Sequence, residues 1–232
     1  MFYIIVLKVG FLCGTTILYF QGTGILYVLL HVPPLVLEAA VSGAGELIQK
    51  TLQYILRLEC DDDGGKSNIG KGGHFPIHGY TTVDAGGKPD TDRSRCLVHW
   101  CHGAPGAIFV FSRAYSIYSQ RPYIDAALRA GEVVWKQGLL KKGPGACHGI
   151  SGNAYALLEL YNLTGDKKWF YRASQFASFM DSEQFRQGTQ LPDHPFSLFE
   201  GWAACACLYA DLLVAEQRMC AAFPLYGSAL LI

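Results

Sequence analysis

The chain has 232 residues, half of them hydrophobic, which is enough to bury a sizeable core in one large domain or two small ones and too apolar for a disordered chain. Nineteen basic residues are balanced by nineteen acidic ones, so no whole-protein field draws it to nucleic acid or an acidic surface, and the expected partner is a small molecule. Eight cysteines in a chain of this length are too sparse for a disulfide framework and suit a reducing compartment.

Residues 2–30 come first, an almost wholly apolar run in which Lys8 is the only charge. Its length raises the question of a membrane span or a signal peptide. Gly10, Gly14, Gln21, Gly22 and Gly24 interrupt it, no basic cluster flanks it, and no clear small-residue cleavage signal follows. A buried helix pair accounts for the same composition, so a cytoplasmic protein is expected. Peripheral attachment at the inner face of the plasma membrane, and a span through residues 2–30, are the alternatives.

Residues 61–95 are rich in Gly and Asp and poor in core formers, and are expected to form a long, flexible, exposed insert. His74 and His78 are four apart there, a spacing that could chelate a metal on a helix. The surrounding glycines and Pro76 disfavour a helix, so solvated loop histidines are expected.

A pattern then repeats in which a Gly-rich turn opens directly into an apolar helix. It occurs at Gln21-Gly22-Thr23-Gly24, at Cys101-His102-Gly103-Ala104-Pro105-Gly106, at Cys147-His148-Gly149-Ile150-Ser151-Gly152 and at Glu200-Gly201-Trp202-Ala203. Gly103 and Gly149 are 46 residues apart, and Gly149 and Gly201 are 52 apart, which is the spacing of a structural repeat. Between these segments lie more amphipathic stretches, Tyr123–Gln137 and Lys167–Asp181. In the first, Ile124, Ala127, Leu128 and Val134 fall on one side and Arg129, Glu132 and Lys136 on another, as in a half-exposed helix. The Gly-led helices are apolar nearly all round and are expected inside. Alternating inner and outer helices at a period near 50 residues describe an all-α fold of stacked αα-hairpins, either an open solenoid or a closed α/α toroid.

The chemistry concentrates at the two Cys-His-Gly turns. Zinc prefers thiolate and imidazole donors, and a catalytic zinc takes three from the protein and leaves one position open. Cys101, Cys147 and His148 supply such a set. A lone Cys-His dipeptide is weak, but here it recurs one repeat apart, each time at the turn into an inner helix, which brings both turns to the same end of the scaffold. A helix N-terminus favours thiolate over thiol.

Three segments together resemble the signatures of the eukaryotic LanC-like proteins, relatives of the bacterial lanthionine cyclases. They are Trp100-Cys101-His102-Gly103-Ala104-Pro105-Gly106, Cys147-His148-Gly149 with Gly152-Asn153-Ala154-Tyr155, and Pro192-Asp193-His194-Pro195-Phe196-Ser197-Leu198-Phe199-Glu200-Gly201. The resemblance covers about residues 20 to 226, with 61–95 as a variable insert and residues 1–20 as a divergent apolar start to a single domain spanning 1–232. It implies part of an α/α toroid of seven inner and seven outer helices. Cys101, Cys147 and His148 fall on the family's ligands for one zinc ion, and Lys142 on a lysine that holds glutathione. The implied reaction adds a zinc-activated thiolate of glutathione to dehydroalanine or dehydrobutyrine in peptides or proteins, giving a thioether.

Departures from the family pattern bear on that reaction. Gln21-Gly22 stands where the cyclases have a His-Gly turn, and glutamine cannot shuttle a proton near neutral pH. His102 is the nearest substitute by sequence, its alternative being a solvent-facing neighbour of the metal. Gln190 stands where the family has an arginine for glutathione, with Arg186 as a candidate replacement. Lys142 itself could be a solvated loop lysine beside Lys141. Ala204 stands where the last turn usually ends in glycine, and its methyl would crowd the turn if its φ were positive. Seven hairpins would need roughly 350 residues, so the resemblance is to a C-terminal half, with the N-terminal half of the ring expected to be missing. An enzyme, a non-catalytic glutathione-binding adaptor or signalling protein, and an inactive truncated pseudoenzyme therefore all remain open from the sequence.

Overall fold

The structure is a computed structural model that describes residues 26–60, 72–76, 96–215 and 223–224. A short helix α1 (Pro34–Ala40) leads into α2 (Ala44–Arg57), and after the insert come α3 (Ala104–Tyr118), α4 (Arg121–Gln137), α5 (Ile150–Thr164), α6 (Lys167–Met180), α7 (Glu183–Gly188) and α8 (Trp202–Ala215). Among the described residues there is no strand; the only sheet-like pairings are isolated bridges between Cys60 and His74 and between Val98 and Gly103.

Helices α3 and α5 are apolar on most sides, Arg113, Asn153 and Glu159 being exceptions, and they are buried on nearly every side. Outer helices α4 and α6 each pack against the inner helix that precedes them, and the inner helices α3, α5 and α8 are neighbours in that order. This is a stack of αα-hairpins, the expected part of an α/α toroid. Each hairpin closes with a residue that suits a sharp reversal. Ser119 (φ 52°) ends α3 in the left-handed region before Pro122 opens α4. Gly165 (φ 68°) ends α5, and the Asp166 carboxylate then accepts the Lys168 N–H at 2.9 Å to cap α6.

The amphipathic reading of residues 123–137 holds with one adjustment. The face of α4 that is buried consists of Tyr123, Ala126, Ala127, Ala130, Gly131, Val133 and Val134, while Ile124 and Leu128 are half-buried at its edge. Small alanines face the inner layer because they let the outer helix approach closely. On the outer surface Glu132 accepts from Arg172 at 2.9 Å and Lys168 at 3.4 Å, and the Arg172 guanidinium lies over the rings of Trp135 and Trp169.

One expectation fails. His74 is not solvated: it is 2% exposed, beside Phe75 at the same value. The cause is the ring of Phe75, which packs on Phe111 of α3 at 5.5 Å and carries residues 72–76 into the core. The backbones of His74 and Cys60 then pair, at 3.0 and 3.3 Å, and the His74 ring meets Gln137 at 3.3 Å. His78 and the rest of the insert lie outside the described residues, as do Met1–Phe20 and the Gln21-Gly22 turn. Among the described residues no helix is long and apolar enough to cross a membrane.

Candidate metal centre

Three connecting segments meet at one end of the inner helices, joined by backbone hydrogen bonds. The Cys101 N–H donates to the Cys147 carbonyl at 3.2 Å, the Cys147 N–H to Phe199 at 2.8 Å, and the Ala146 N–H to Leu198 at 3.2 Å. Cys101 itself lies in a tight turn, closed by the reciprocal bonds His99 N–H to His102 carbonyl (3.0 Å) and His102 N–H to His99 carbonyl (3.2 Å). The turn needs glycine at its exit. Gly103 has φ +110°, and a Cβ there would lie 1.7 Å from the Leu97 carbonyl oxygen. In the next repeat a Cβ on Gly152 would lie 1.9 Å from the Ala146 carbonyl oxygen. Both cysteines thus sit three residues before the first residue of an inner helix, at the positive end of its dipole.

Asn153 bolts the two repeats together from within. It is fully buried, and its Nδ2 donates to the Val98 carbonyl at 3.0 Å and the Gly138 carbonyl at 2.8 Å. The first of these bonds sets the height of the turn that carries Cys101.

At the centre, Cys101 Sγ, Cys147 Sγ and a ring nitrogen of His148 all lie within 4.8 Å of one another. Tetrahedral zinc at about 2.3 Å from sulfur and about 2.0 Å from nitrogen keeps its donors roughly 3.3–3.8 Å apart, so the three can close on one ion by small side-chain adjustments. The donor chemistry agrees. A hydrogen bond from Cys101 holds the Cys147 thiol down at about 6, with His148 helping and burial opposing. The Cys101 thiol is pushed up, first by that same hydrogen bond and then by burial. One thiolate shared between two sulfurs is what a soft cation would stabilise. The Glu200 carboxylate gives a second sign. Its charge reaches Cys147, and its Oε2 is buried with no hydrogen-bond partner among the described residues, which a nearby cation would offset.

The family model for lanthionine synthetase C-like proteins matches residues 22–225. The chain belongs to the LanC-like family. Over 135 residues it is 48% identical to the glutathione S-transferase LANCL1 of Danio rerio, covering 58% of this chain and 32% of that protein. Over 194 residues it is 39% identical to the LanC-like protein GCL1 of Arabidopsis thaliana, covering 82% of this chain and 39% of that protein. The chain thus spans less than two fifths of the length of either of these curated relatives.

In this LanC-like chain the residues expected from sequence are brought together unevenly. Cys101, Cys147 and His148 converge, and His102 joins them with its Nδ1 3.3 Å from Cys101 Sγ. Lys142 is exposed on the loop leading to Cys147, and its charge acts on both Cys101 and His99. Gln190 runs beside that loop, its N–H donating to the Lys141 carbonyl at 2.7 Å. Arg186 is engaged elsewhere: its guanidinium donates to the Asp181 carbonyl at 2.7 Å and faces Glu183. Ala204 is fully buried in α8 and does not have a positive φ, so the condition for crowding the last turn is not met.

Three residues of the site were not assigned from sequence. His99 is buried, 5.9 Å from the His148 ring between centroids. Burial first, and then the charges of Lys142, His148 and His102, push it down to about 4, so it is neutral at pH 7. His99, Cys101 and His102 also offer three donor atoms within 4.8 Å, a second grouping that shares Cys101 with the first. Glu200 and Asn153 complete the list. Asn153 alone carried a signal, as an amide in the middle of an apolar inner helix.

Proposed function

We propose that this chain binds one zinc ion through Cys101, Cys147 and His148 and joins glutathione by a thioether bond to dehydroalanine or dehydrobutyrine in peptides or proteins. The observation that carries this reading is the convergence of two sulfurs and one imidazole nitrogen at the hydrogen-bonded turns of adjacent repeats. Membership of the LanC-like family and likeness to a relative described as a glutathione S-transferase support the choice of thiol.

When bound, zinc lowers the pKa of a coordinated thiol, so that the nucleophile exists at neutral pH. The chain's own groups would do the rest. Exposed Lys142, at the rim of the site, supplies a positive charge for a glutathione carboxylate. Addition forms one C–S bond and leaves a carbanionic α-carbon, which takes up a proton to complete the thioether. His102, half-buried beside Cys101, is the group proposed to deliver it. Neutral His99 and the Glu200 carboxylate flank the donors and would keep them oriented.

Metal analysis and turnover test the two halves separately. Purified chain is expected to hold about one zinc per molecule and to form a glutathione adduct with a dehydroalanine peptide. Cys147→Ala is expected to lose stoichiometric zinc. Unchanged zinc in that variant would overturn the ligand set and favour the His99, Cys101 and His102 grouping instead.

A non-catalytic glutathione-binding role is the second reading, and Gln190 favours it. A neutral amide beside the Lys142 loop weakens capture of a carboxylate where the family resemblance has an arginine. Zinc binding without adduct formation would select this reading. Under either reading, Lys142→Ala should weaken glutathione binding roughly 5- to 30-fold by calorimetry, and equal affinities would remove Lys142 from the site.

A further inference from the structure

We propose that Cys60 and Cys96 form a reversible disulfide, a redox-sensitive modification site separate from the metal centre. Their sulfurs lie 3.5 Å apart although the residues are 36 apart in sequence. Each is held on a backbone anchored independently of the other. Cys60 is fixed on both sides: its backbone pairs with His74 at 3.0 and 3.3 Å, and Glu59 before it accepts two hydrogen bonds from Arg129, at 2.6 and 2.7 Å. Cys96 enters the segment in which Val98 bridges to Gly103 and accepts from buried Asn153. Side-chain torsions have about 1.5 Å to close before the sulfurs reach bonding distance.

Burial distinguishes the two thiols. Cys60 is buried and also points its sulfur at the His74 carbonyl, at 3.6 Å, whereas Cys96 is half-exposed. Attack on an outside reagent therefore falls to Cys96. With a low-molecular-weight disulfide as oxidant, the Cys96 thiolate forms an S–S bond to one of its sulfurs and expels the other as a thiolate, which takes up a proton. Cys60 then gives up its proton and attacks the Cys96 sulfur, forming the protein disulfide and releasing the second small thiol. Two protein thiols lose two electrons and two protons, and the oxidant becomes two thiols. The crosslink ties together the chain ends that flank the insert, removing freedom from the unfolded chain.

The test uses the full chain, purified in reduced form, exposed to glutathione disulfide and quenched by alkylation under denaturing conditions. Peptide mass spectrometry is expected to find a Cys60–Cys96 crosslink that dithiothreitol abolishes, with a melting temperature several degrees above that of the reduced protein. Cys60→Ser should accumulate a glutathione mixed disulfide at Cys96, because no resolving thiol remains. Cys96→Ser should leave Cys60 unmodified. Alkylation of both residues after oxidation, a crosslink to another cysteine in their place, or mixed disulfide at Cys60 in Cys96→Ser would each overturn the proposal. None of these readouts depends on turnover or on the zinc assignment.

Discussion

Cys147 is tied into the site at three points: its sulfur faces that of Cys101 within 4.8 Å, its N–H binds Phe199, and its carbonyl accepts from Cys101. Truncating its side chain leaves both backbone bonds in place, so Cys147→Ala should lose zinc while keeping its helical circular dichroism. His102 has a narrower role. A ring nitrogen 3.3 Å from Cys101 Sγ can serve a proton transfer without holding the ion, so His102→Gln is expected to keep zinc and lose roughly 10²- to 10⁴-fold in adduct formation rate. Zinc lost along with activity would make His102 a ligand instead. The three residues proposed as donors could be singled out in the sequence, because Cys-His-Gly recurs at one repeat spacing. The groups around them were not: a lone His99 two residues before Cys101 and a lone Glu200 before Gly201 gain meaning only from what folds against them.

Helices and turns were legible to different degrees. The apolar composition of α3 and α5 placed them inside, and the mixed faces of α4 and α6 placed them outside, as found. The turns depend on a finer fit. A Cβ at Gly152 would press on the Ala146 backbone next to Cys147, with its carbonyl oxygen 1.9 Å away, and a carbonyl cannot swing aside as a flexible side chain can. Gly152→Ala should therefore destabilise the fold by about 2–4 kcal/mol in denaturant titrations and weaken zinc binding. Gly188, whose Cβ would meet nothing within 4 Å, is the control, and Gly188→Ala should change neither. Similar losses in both variants would mean that the carbonyl contact does not set the turn. The insert was read least well at His74, because one buried aromatic, Phe75, outweighs the polar composition of its neighbours.

On the scale of the whole molecule, inner helix α5 carries a carboxyl group whose cost of burial depends on pH. Glu159, partly buried on inner helix α5, is pushed up to about 7 from an ordinary 4.5 by loss of hydration, against a smaller opposing effect of the Arg113 charge. The folded state holds its proton more tightly than the unfolded chain does, so this group's contribution to stability is full below about 4.5 and is lost as pH rises through about 7. Glu159→Gln should melt about 2–4 °C above the parent protein at pH 8 and show no such gain at pH 4. An equal gain at both would assign the effect to packing.

Composition, hydrophobic period and the recurring Cys-His-Gly turn were sufficient to determine an all-helical repeat with inner and outer layers, and to single out Cys101, Cys147 and His148. These properties are written in the order of residues along one segment at a time. Only the tertiary structure decided that the three donor atoms meet, that His99, Glu200 and Asn153 stand around them, and that Cys60 and Cys96 face each other across 36 residues of chain. The physical reason is that each depends on contacts between segments distant in sequence, whose spacing is set by backbone hydrogen bonds and by where glycine lets one chain approach another.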